Sequence, residues 1–300
     1  MILKGQNFRV ITLDDGDYKV IAMSTGCKCT LTNNVDEGSH KDIAGMASRP
    51  VVVSKSWQVQ VDSLKVTDVA AFLTAIKNCT PFRLMWDETS TENNYDAEGA
   101  DFNRTGLAYL NDFTMVFNNR EFSTKSLQFT GTGELEVESA IEVQAPGASV
   151  YTKGEAVRLF LSANNTDTPS AVIAAAKQLS WHASLTLEEA TTKDTTGDWQ
   201  VMEPTALAYD FSTTALMKTD ETITSSVDAK DLADIETLYD NGTPVKWLIA
   251  NVSGANNRTK GAVIVNGSCI VKSLDMNGPN RQNADYTASF VGVGDFTVGA

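Results

Sequence analysis

The sequence has little positive charge and no long apolar run. Its 300 residues include 24 Lys and Arg against 38 Asp and Glu, which gives a formal net charge of −14. Affinity for a phosphate backbone comes mainly from Lys and Arg, so this balance argues against nucleic-acid binding. No stretch reaches the about 20 apolar residues of a membrane-spanning helix. The first ten residues, MILKGQNFRV, lack the apolar core of a signal peptide, so we expect neither a membrane span nor export.

Histidine and cysteine are also scarce, at two and four residues. Neither His40 nor His182 stands near a Ser or Cys nucleophile in a recognisable catalytic arrangement. Cys27 and Cys29 form a C-x-C pair, but the second pair of ligands at C-x-x-C spacing that is typical of a zinc site is absent. We therefore expect no catalytic residues, no cofactor and no metal, and reduced thiols fit a protein that folds in the cytoplasm.

The segment FTGTGEL, residues 129–135, could begin a phosphate-binding loop. A dinucleotide fingerprint needs a helix immediately after its glycines, because the helix amino terminus holds the pyrophosphate. No helical pattern follows here. Alternation instead places Phe129, Gly131, Gly133 and Leu135 on one face of a strand. Glycines on a strand face predict that the helix or an aromatic ring packs closely against the backbone.

The same motif recurs as FVGVGDF at residues 290–296, and it is one part of a long internal repeat. Residues 19–64 match residues 171–216 at a constant offset of 152, and the matches then continue at an offset of 163 after an insertion of about eleven residues. A period near 150 is too long for solenoid or propeller units. The sequence therefore predicts a duplicated domain, with copies at 1–148 and 149–300 that each carry a net charge of −7.

Each copy shows the same pattern of secondary structure. Segments such as 54–64 and 105–117 alternate or are rich in β-branched and aromatic residues, which predicts strands. Residues 67–79 and 231–242 have apolar residues at helical spacing. We expect a mainly β fold with one helix per domain (α+β), a β-sandwich or barrel that occurs twice.

Three polar segments are candidates for contacts between subunits or rings: 36–53, 86–105 and 188–204. The first and third share a KD-x-x-G core, and the acidic second lacks the glycine and terminal Glu of a calcium loop. Long irregular segments are uncommon in compact domains unless they are functional. The candidate contact residues are Lys41, Asp42, Gly45, Asp87, Glu88, Glu92, Tyr95, Asp96, Lys193, Asp194, Gly197 and Trp199.

The stretch TTKDTTGDWQVMEP at 191–204, followed by the strand ALAYDFSTTAL, resembles the signature of the major tail tube proteins of long-tailed bacteriophages. The first copy has a weaker version, SHKDIAGMASRP, which lacks the Thr-Thr and has no Trp after Gly45. This resemblance implies two tandem tail-tube-like domains, each a β-sandwich with a flanking helix, in rings that stack into a hollow tube. The same fold is shared with type VI secretion tube proteins.

The resemblance also implies a function and partners. The protein would be a structural virion protein of the tail that conducts DNA into the host, assembled in the bacterial cytoplasm and without an active site. Its partners would be further copies of itself, the tape-measure and tail terminator proteins, and baseplate or tip proteins. Single-domain relatives implied by the family close as hexamers, so two domains per chain predict homotrimeric rings. DNA would pass an acidic lumen without specific binding.

Two alternatives remain open at the level of the sequence. The first is the tube component of a contractile injection or type VI-like secretion system, which would use the same fold. The second belongs to another class, a tandem β-sandwich module that binds carbohydrate or acts as an adhesin. The absence of an export signal in the first ten residues argues against an adhesin.

Overall fold

The structure of the chain is a computed structural model with sixteen strands and two α-helices in the part of the chain that it describes. The mainly β fold class with one helix per copy is therefore confirmed. The residues that it describes are 5–14, 17–38, 49–64, 69–91, 94–97, 103–137, 143, 151–195, 197–217, 229–253 and 259–299.

The first copy contains eight of the strands and one helix, α1 (Ala70–Lys77). Short 3-10 turns precede the first strand of each copy, at Gly5–Asn7 and Gly154–Ala156. The strands of the first copy are β1 (Phe8–Asp14), β2 (Asp17–Val20), β3 (Ser24–Glu37), β4 (Pro50–Ser63), β5 (Phe82–Thr91), β6 (Asn94–Ala97), β7 (Arg104–Asn118) and β8 (Thr124–Glu136).

The second copy contains the other eight strands and α2 (Leu232–Asn241). Its strands are β9 (Val157–Leu161), β10 (Ala171–Ile173), β11 (Ala176–Glu189), β12 (Met202–Leu216), β13 (Ala229–Lys230), β14 (Val245–Ser253), β15 (Thr259–Asn277) and β16 (Asp285–Val298).

The two copies have the same strand order. Neighbouring strands in the first copy run β2-β1-β5-β7-β8-β4-β3, and those in the second run β10-β9-β14-β15-β16-β12-β11. Each strand of these two orders thus has a counterpart in the other copy, β3 with β11 and β7 with β15 among them, whereas β6 and β13 have none among the described strands. The copies join where β11 pairs with β7, so all these strands belong to one sheet. The predicted boundary between residues 148 and 149 lies outside the described residues and stays a prediction.

The sheet of the first copy curves until its strands face one another across a core. Trp57 on β4 meets Trp86 on β5 with ring centroids 5.6 Å apart, although these strands are not neighbours in the sheet. Helix α1 contributes Phe72, whose ring lies 5.4 Å from that of Phe82 and 6.4 Å from that of Phe129. Such aromatic pairs add to the free energy gained by burying their apolar surface. The helix therefore fills the core that the curved sheet leaves open.

The two helices begin differently. In α2, the Asp231 carboxylate accepts a hydrogen bond from the backbone N–H of Asp234, and the Asp234 carboxylate accepts one from the N–H of Asp231. This capping box satisfies two donors at the helix start, and Gly242 ends the helix in the left-handed region at φ +59°. Helix α1 begins after Val69 without a side-chain cap. The predicted insertion before α2 falls largely on 218–228, outside the described residues.

An aromatic ring covers the first glycine of the repeated motif in each copy. A Cβ atom on Gly131 would lie 2.0 Å from the indole ring of Trp57, and one on Gly292 would lie 2.3 Å from the phenol ring of Tyr209. These distances are far below van der Waals contact, so only glycine fits at either position. The predicted close packing of an aromatic ring is confirmed for both of these glycines.

The second glycine of each motif has a different role, and its prediction was wrong. A Cβ on Gly133 or Gly294 would meet no atom within 4 Å. Both residues instead have positive φ, +79° for Gly133 and +68° for Gly294, in the left-handed region that glycine adopts without steric cost. The backbone turns at this point, so the simple alternation assumed from the sequence does not extend through these residues.

The described residues of the segment 86–105, which are 86–91, 94–97 and 103–105, do not form the irregular loop that the sequence predicts. Strand β5 continues to Thr91, and β6 pairs with it through Thr89 and Ala97 as an antiparallel hairpin. The hairpin supplies hydrogen-bond partners to backbone groups of this polar segment, which explains how a sequence without an apolar pattern forms strands here.

Candidate functional site: a polar belt and the junction between the copies

Eight strands form a continuous antiparallel array that spans both copies. Their order is β3-β4-β8-β7-β11-β12-β16-β15, with four strands from each copy. We call this array the polar belt, because one of its faces is polar. The other face packs on the core, where Trp181, Phe211 and Phe290 follow one another across three strands and are buried.

The polar face follows from the period-two alternation of each strand. Residues next to these core positions point away from the core, and residues in register on neighbouring strands share a face. Across β8, β7, β11, β12, β16 and β15 one such row reads Thr124, Val116, Ser180, Ser212, Ser289 and Ser273. The row beside it on β7, β11, β12, β16 and β15 reads Asn118, Gln178, Thr214, Thr287 and Asp275.

The remaining rows carry most of the charge of this face. One row runs Gly26, Asp62, Ser126, Thr114, His182, Asp210, Val291 and Ile270, and the next runs Lys28, Gln60, Gln128, Asp112, Ser184 and Ala208. Carboxylates outnumber cationic groups in these rows. The charged residues of the four rows are Asp62, Asp112, Asp210, Asp275, Lys28 and His182.

His182 connects the two copies on the polar face. Its Nδ1 lies 3.0 Å from a carboxylate oxygen of Asp210 on β12, and its Nε2 lies 2.9 Å from one of Asp112 on β7. The hydrogen bond with Asp210, and then that with Asp112, raises the pKa of His182 from 6.5 to about 9, against the opposing effect of burial. The imidazole is therefore protonated at neutral pH, and both ring nitrogens donate to carboxylates of different copies.

The junction between the copies is a strand pairing with a continuous core beneath it. Strand β11 of the second copy pairs with β7 of the first through seven residue pairs, from Gln178 opposite Asn118 to Ser184 opposite Asp112. On the core side, the ring of Trp181 lies 5.9 Å from that of Phe113. Buried residues of both copies belong to one apolar cluster. The two copies are thus joined by main-chain hydrogen bonds and by apolar packing.

The segment 190–201 that carries the second KD-x-x-G core also lies at the junction. The backbone N–H of Lys55 donates to the carbonyl of Asp198 at 2.6 Å, and the N–H of Gln200 donates back to the carbonyl of Lys55 at 2.9 Å. The backbone carbonyl of Gln200 also accepts a hydrogen bond from the N–H of Gly133 at 2.8 Å. The side chains of Lys55 and Asp198 form an ion pair at 3.3 Å, and the Lys55 ammonium lies over the ring of Trp199.

The candidate contact residues of this segment differ in exposure and in their contacts. Trp199 packs against the apolar core and meets the first copy of the same chain, whereas Lys193 and Asp194 are exposed. Gly197 has φ +87°, which favours glycine. The sequence missed Asp198 and Gln200, although they flank Trp199. A contact of any of these residues with another subunit stays a prediction.

The candidates in the first copy have mixed outcomes. Asp87 is buried, with its carboxylate bonded to the amide of Asn103 at 3.0 Å and to the backbone N–H of Glu88 at 2.7 Å, so the carboxylate satisfies buried polar groups of its own chain. A contact of Asp87 with another subunit stays a prediction. Glu88 is half-buried. Tyr95 and Asp96 lie on β6, and Lys41, Asp42, Gly45 and Glu92 lie outside the described residues.

Solved structures of tail proteins are similar to half of this chain. The tail of an empty gene transfer agent particle, refined with C6 symmetry, aligns with 50% of this chain and 99% of that chain, at 13% identity and a TM-score of 0.38. The tail tube of SPP1 aligns with 49% of this chain and 78% of that chain, at 15% identity and a TM-score of 0.36. No protein-family model and no curated protein matches the sequence.

Three of the four cysteines, Cys27, Cys29 and Cys269, lie on strands and are buried in the core or packed against it. Cys27 and Cys29 on β3 stand where β11 has Leu179 and Trp181, as the repeat predicts, and both pack against the core. Burial raises the pKa of Cys29 to about 12, so its thiol stays protonated and is a poor nucleophile. Within the described ranges, no group of three or more His, Cys, Asp or Glu is placed to hold a metal ion. No helix there is long and apolar enough to cross a membrane.

Proposed function

We propose that this chain is the major tail tube protein of a long-tailed bacteriophage, a structural subunit of a hollow tube that conducts DNA. The observation that carries the proposal is the polar belt. It is a long antiparallel array with a core on one face and a solvated polar surface on the other, the arrangement needed for the wall of a water-filled channel. The sequence resemblance at 191–204 supports the same function.

The junction supports assembly into rings. In it the two copies lie side by side and pair through β11 and β7, with the polar surface continuous across them. A belt with open strands at both ends is a segment of a larger closed array, because closure removes the unpaired edges on which other chains would aggregate. Repetition of one head-to-tail contact with a fixed rotation generates a ring when that rotation closes.

The stoichiometry that we propose is three chains per ring. If the ring contains six tube domains, as the resemblance implies, three chains supply them with pseudo-sixfold symmetry. The closed wall would then have twenty-four strands, eight from each chain. Contacts within a chain and contacts between chains would alternate around the ring. Rings would stack, and the tape-measure, tail terminator and baseplate or tip proteins would contact the finished tube.

The acidic character of the polar belt supports passage of DNA without binding. Carboxylates on the wall repel phosphates, whereas Lys and Arg would hold them by releasing counterions. The charge has to lie on the wall itself, because at physiological salt it is screened beyond about 8 Å. We propose a structural role without enzymatic activity, in the virion tail, with folding and assembly in the host cytoplasm.

Electron microscopy and native mass spectrometry of the purified chain test this proposal. Rings or tubes with three chains per ring are the expected result. Six chains per ring would mean that one copy lies outside the tube wall, and would contradict the pseudo-sixfold arrangement. Monomers that bind glycans would instead support the adhesin alternative. Tubes found in a contractile secretion apparatus, without phage DNA, would support the injection alternative.

A further inference from the structure

We propose that β3 of one chain pairs antiparallel with the free edge of β15 of a second copy, in the register that joins β11 to β7 within the chain. This inference rests on the proposed ring assembly and names the strands and residues that close it. The junction inside the chain is its template, because it is the same contact between the same two counterpart strands.

The repeat fixes which residues correspond. Leu110 lies opposite Phe129, and Val271 lies opposite Phe290, so Leu110 on β7 corresponds to Val271 on β15. The register shifts just beyond Leu110 and just beyond Val271, so the two strands also share an irregularity there. On the other side, β11 pairs with β12 in the register in which β3 pairs with β4, at the offset of 152 found in the sequence.

Both proposed strands have an open edge in the described part of the chain. The ladder of β3 there is with β4. Strand β14 pairs with β15 from Thr259 to Cys269, so residues 270–277 have β16 as their one strand neighbour among the described residues. In the first copy, the corresponding part of β7 is the part that pairs with β11. The open edge of β15 is therefore the counterpart of the edge of β7 that pairs with β11 within the chain.

Exposed apolar side chains mark both open edges. Leu31 on β3 is 58% exposed and Met276 on β15 is 53% exposed. Their counterparts at the junction are Ala183 and Met115, and both are completely buried. Transfer of the junction register places Leu31 opposite Leu274 and Cys29 opposite Met276 of the second copy. Positions that are buried at the β11–β7 junction are thus apolar and exposed at the open edges of β3 and β15. Their burial against a second copy would favour association.

The polar face offers a complementary charge pair at the same interface. At the junction, His182 reaches diagonally to Asp112, which lies two residues before its direct partner Thr114. The same diagonal places exposed Lys28 of one chain beside exposed Asp275 of the other. Opposite charges on such cross-strand positions stabilise a sheet, so this pair would favour the proposed register.

A second copy of the chain is the occupant that these observations favour. Each chain has one edge of each kind, so the contact is head to tail and continues the belt with its polar face on the same side. Closure of a ring then uses every such edge once.

Disulfide trapping in the full-length chain tests the register. Direct antiparallel partners have Cα atoms about 4.5 to 5.5 Å apart, within the range that a disulfide bridges. We expect Met276→Cys to form a disulfide with native Cys29 of the neighbouring chain when assembled rings are treated with a thiol oxidant, giving covalent dimers and trimers on a denaturing gel. The introduced thiol at position 276 supplies the attacking thiolate, because Cys29 stays protonated. The double variant Cys29→Ser/Met276→Cys and the variant Asn277→Cys, which points to the other face, serve as controls without this cross-link.

Microscopy of the same samples separates the two proposals. Rings that form but give no Cys29-dependent cross-link would overturn the β3–β15 pairing and leave the tube function intact. A chain that forms no rings contradicts the tube function itself. Charge exchange provides a second measurement: Lys28→Asp and Asp275→Lys should each reduce the fraction of assembled chains, and the double exchange should restore it. Failure of the double exchange to restore assembly, where both single changes reduce it, would also overturn the pairing.

Discussion

The indole ring of Trp57 occupies the space that a side chain at Gly131 would need. The ring atoms Cε2 and Cδ2 lie 2.0 and 2.2 Å from the position of a Cβ on Gly131, and the indole N–H donates to the carbonyl of Gly133 at 3.2 Å. Tyr209 covers Gly292 in the second copy in the same way. The large aromatic residue and the glycine that it covers therefore form one packing unit, which occurs once in each copy.

We expect Gly131→Ala to destabilise the protein by about 3 kcal/mol, at the upper end of the cost of overpacking, because the buried Trp57 ring has to move. Urea denaturation measures this change. Gly278→Ala is the matched control, since a Cβ there meets no atom within 4 Å. Adding Trp57→Leu to Gly131→Ala should cost less than the sum of the two single changes, and strict additivity would contradict direct packing.

The sequence was sufficient to predict this part of the fold because two constraints coincided. Glycine spacing on a strand indicated close packing, and the repeat identified Trp57 and Tyr209 as counterparts. The left-handed backbone of Gly133 was not predictable in that way, because alternation assumes a regular strand. Likewise, residues 87–91 are polar and show no apolar period, yet pairing with other strands holds them in β5.

At the junction we expect the apolar contact to outweigh the ion pair. Asp198→Ala should cost less than about 1 kcal/mol, because Asp198 is 61% exposed and exposed ion pairs contribute little. Trp199→Ala should cost about 2 kcal/mol, since its half-buried ring packs against the core. Urea denaturation of both variants at one salt concentration gives the comparison. A larger loss for Asp198→Ala than for Trp199→Ala would show that electrostatics dominates this contact.

The junction itself was beyond the reach of the sequence. Strands β3 and β11 have the same alternating pattern, and so do β7 and β15, but only β11 with β7 forms a pair inside the chain. An alternating pattern indicates which face of a strand is apolar. It does not indicate whether β11 pairs with the edge of β7 or with the equivalent edge of β15. Trp199 was proposed as a contact between subunits, which stays a prediction, and the sequence did not indicate its contact with Lys55 of the same chain. Asp198 and Gln200 were missed because they contact Lys55 mainly through the backbone.

His182 should make the stability of the junction depend on pH. Its pKa is raised from 6.5 to about 9 in the folded chain, so its contribution is present in full below about pH 6.5 and is lost as the pH rises through about 9. His182→Gln should therefore cost about 1 kcal/mol near pH 6, after allowance for the exposed carboxylates, and close to nothing near pH 10. Unfolding free energies of both proteins across this range measure the difference. A constant difference would contradict the proposed protonation.

Charge on the polar belt should decide whether the assembled tube releases DNA. Gln128→Lys together with Ser212→Lys adds two positive charges to the polar face, at positions that the register places on β8 and β12. Tubes of this variant should retain labelled DNA in a co-sedimentation assay, and less so as salt rises, because binding through Lys releases counterions. Asp240→Lys gives the same net charge from an exposed position on α2, and those tubes should release DNA as the unmodified tubes do.

Equal retention by both variants would mean that net charge, and not the polar belt, controls contact with DNA. Release of DNA by both variants would show that DNA does not pass along the polar belt.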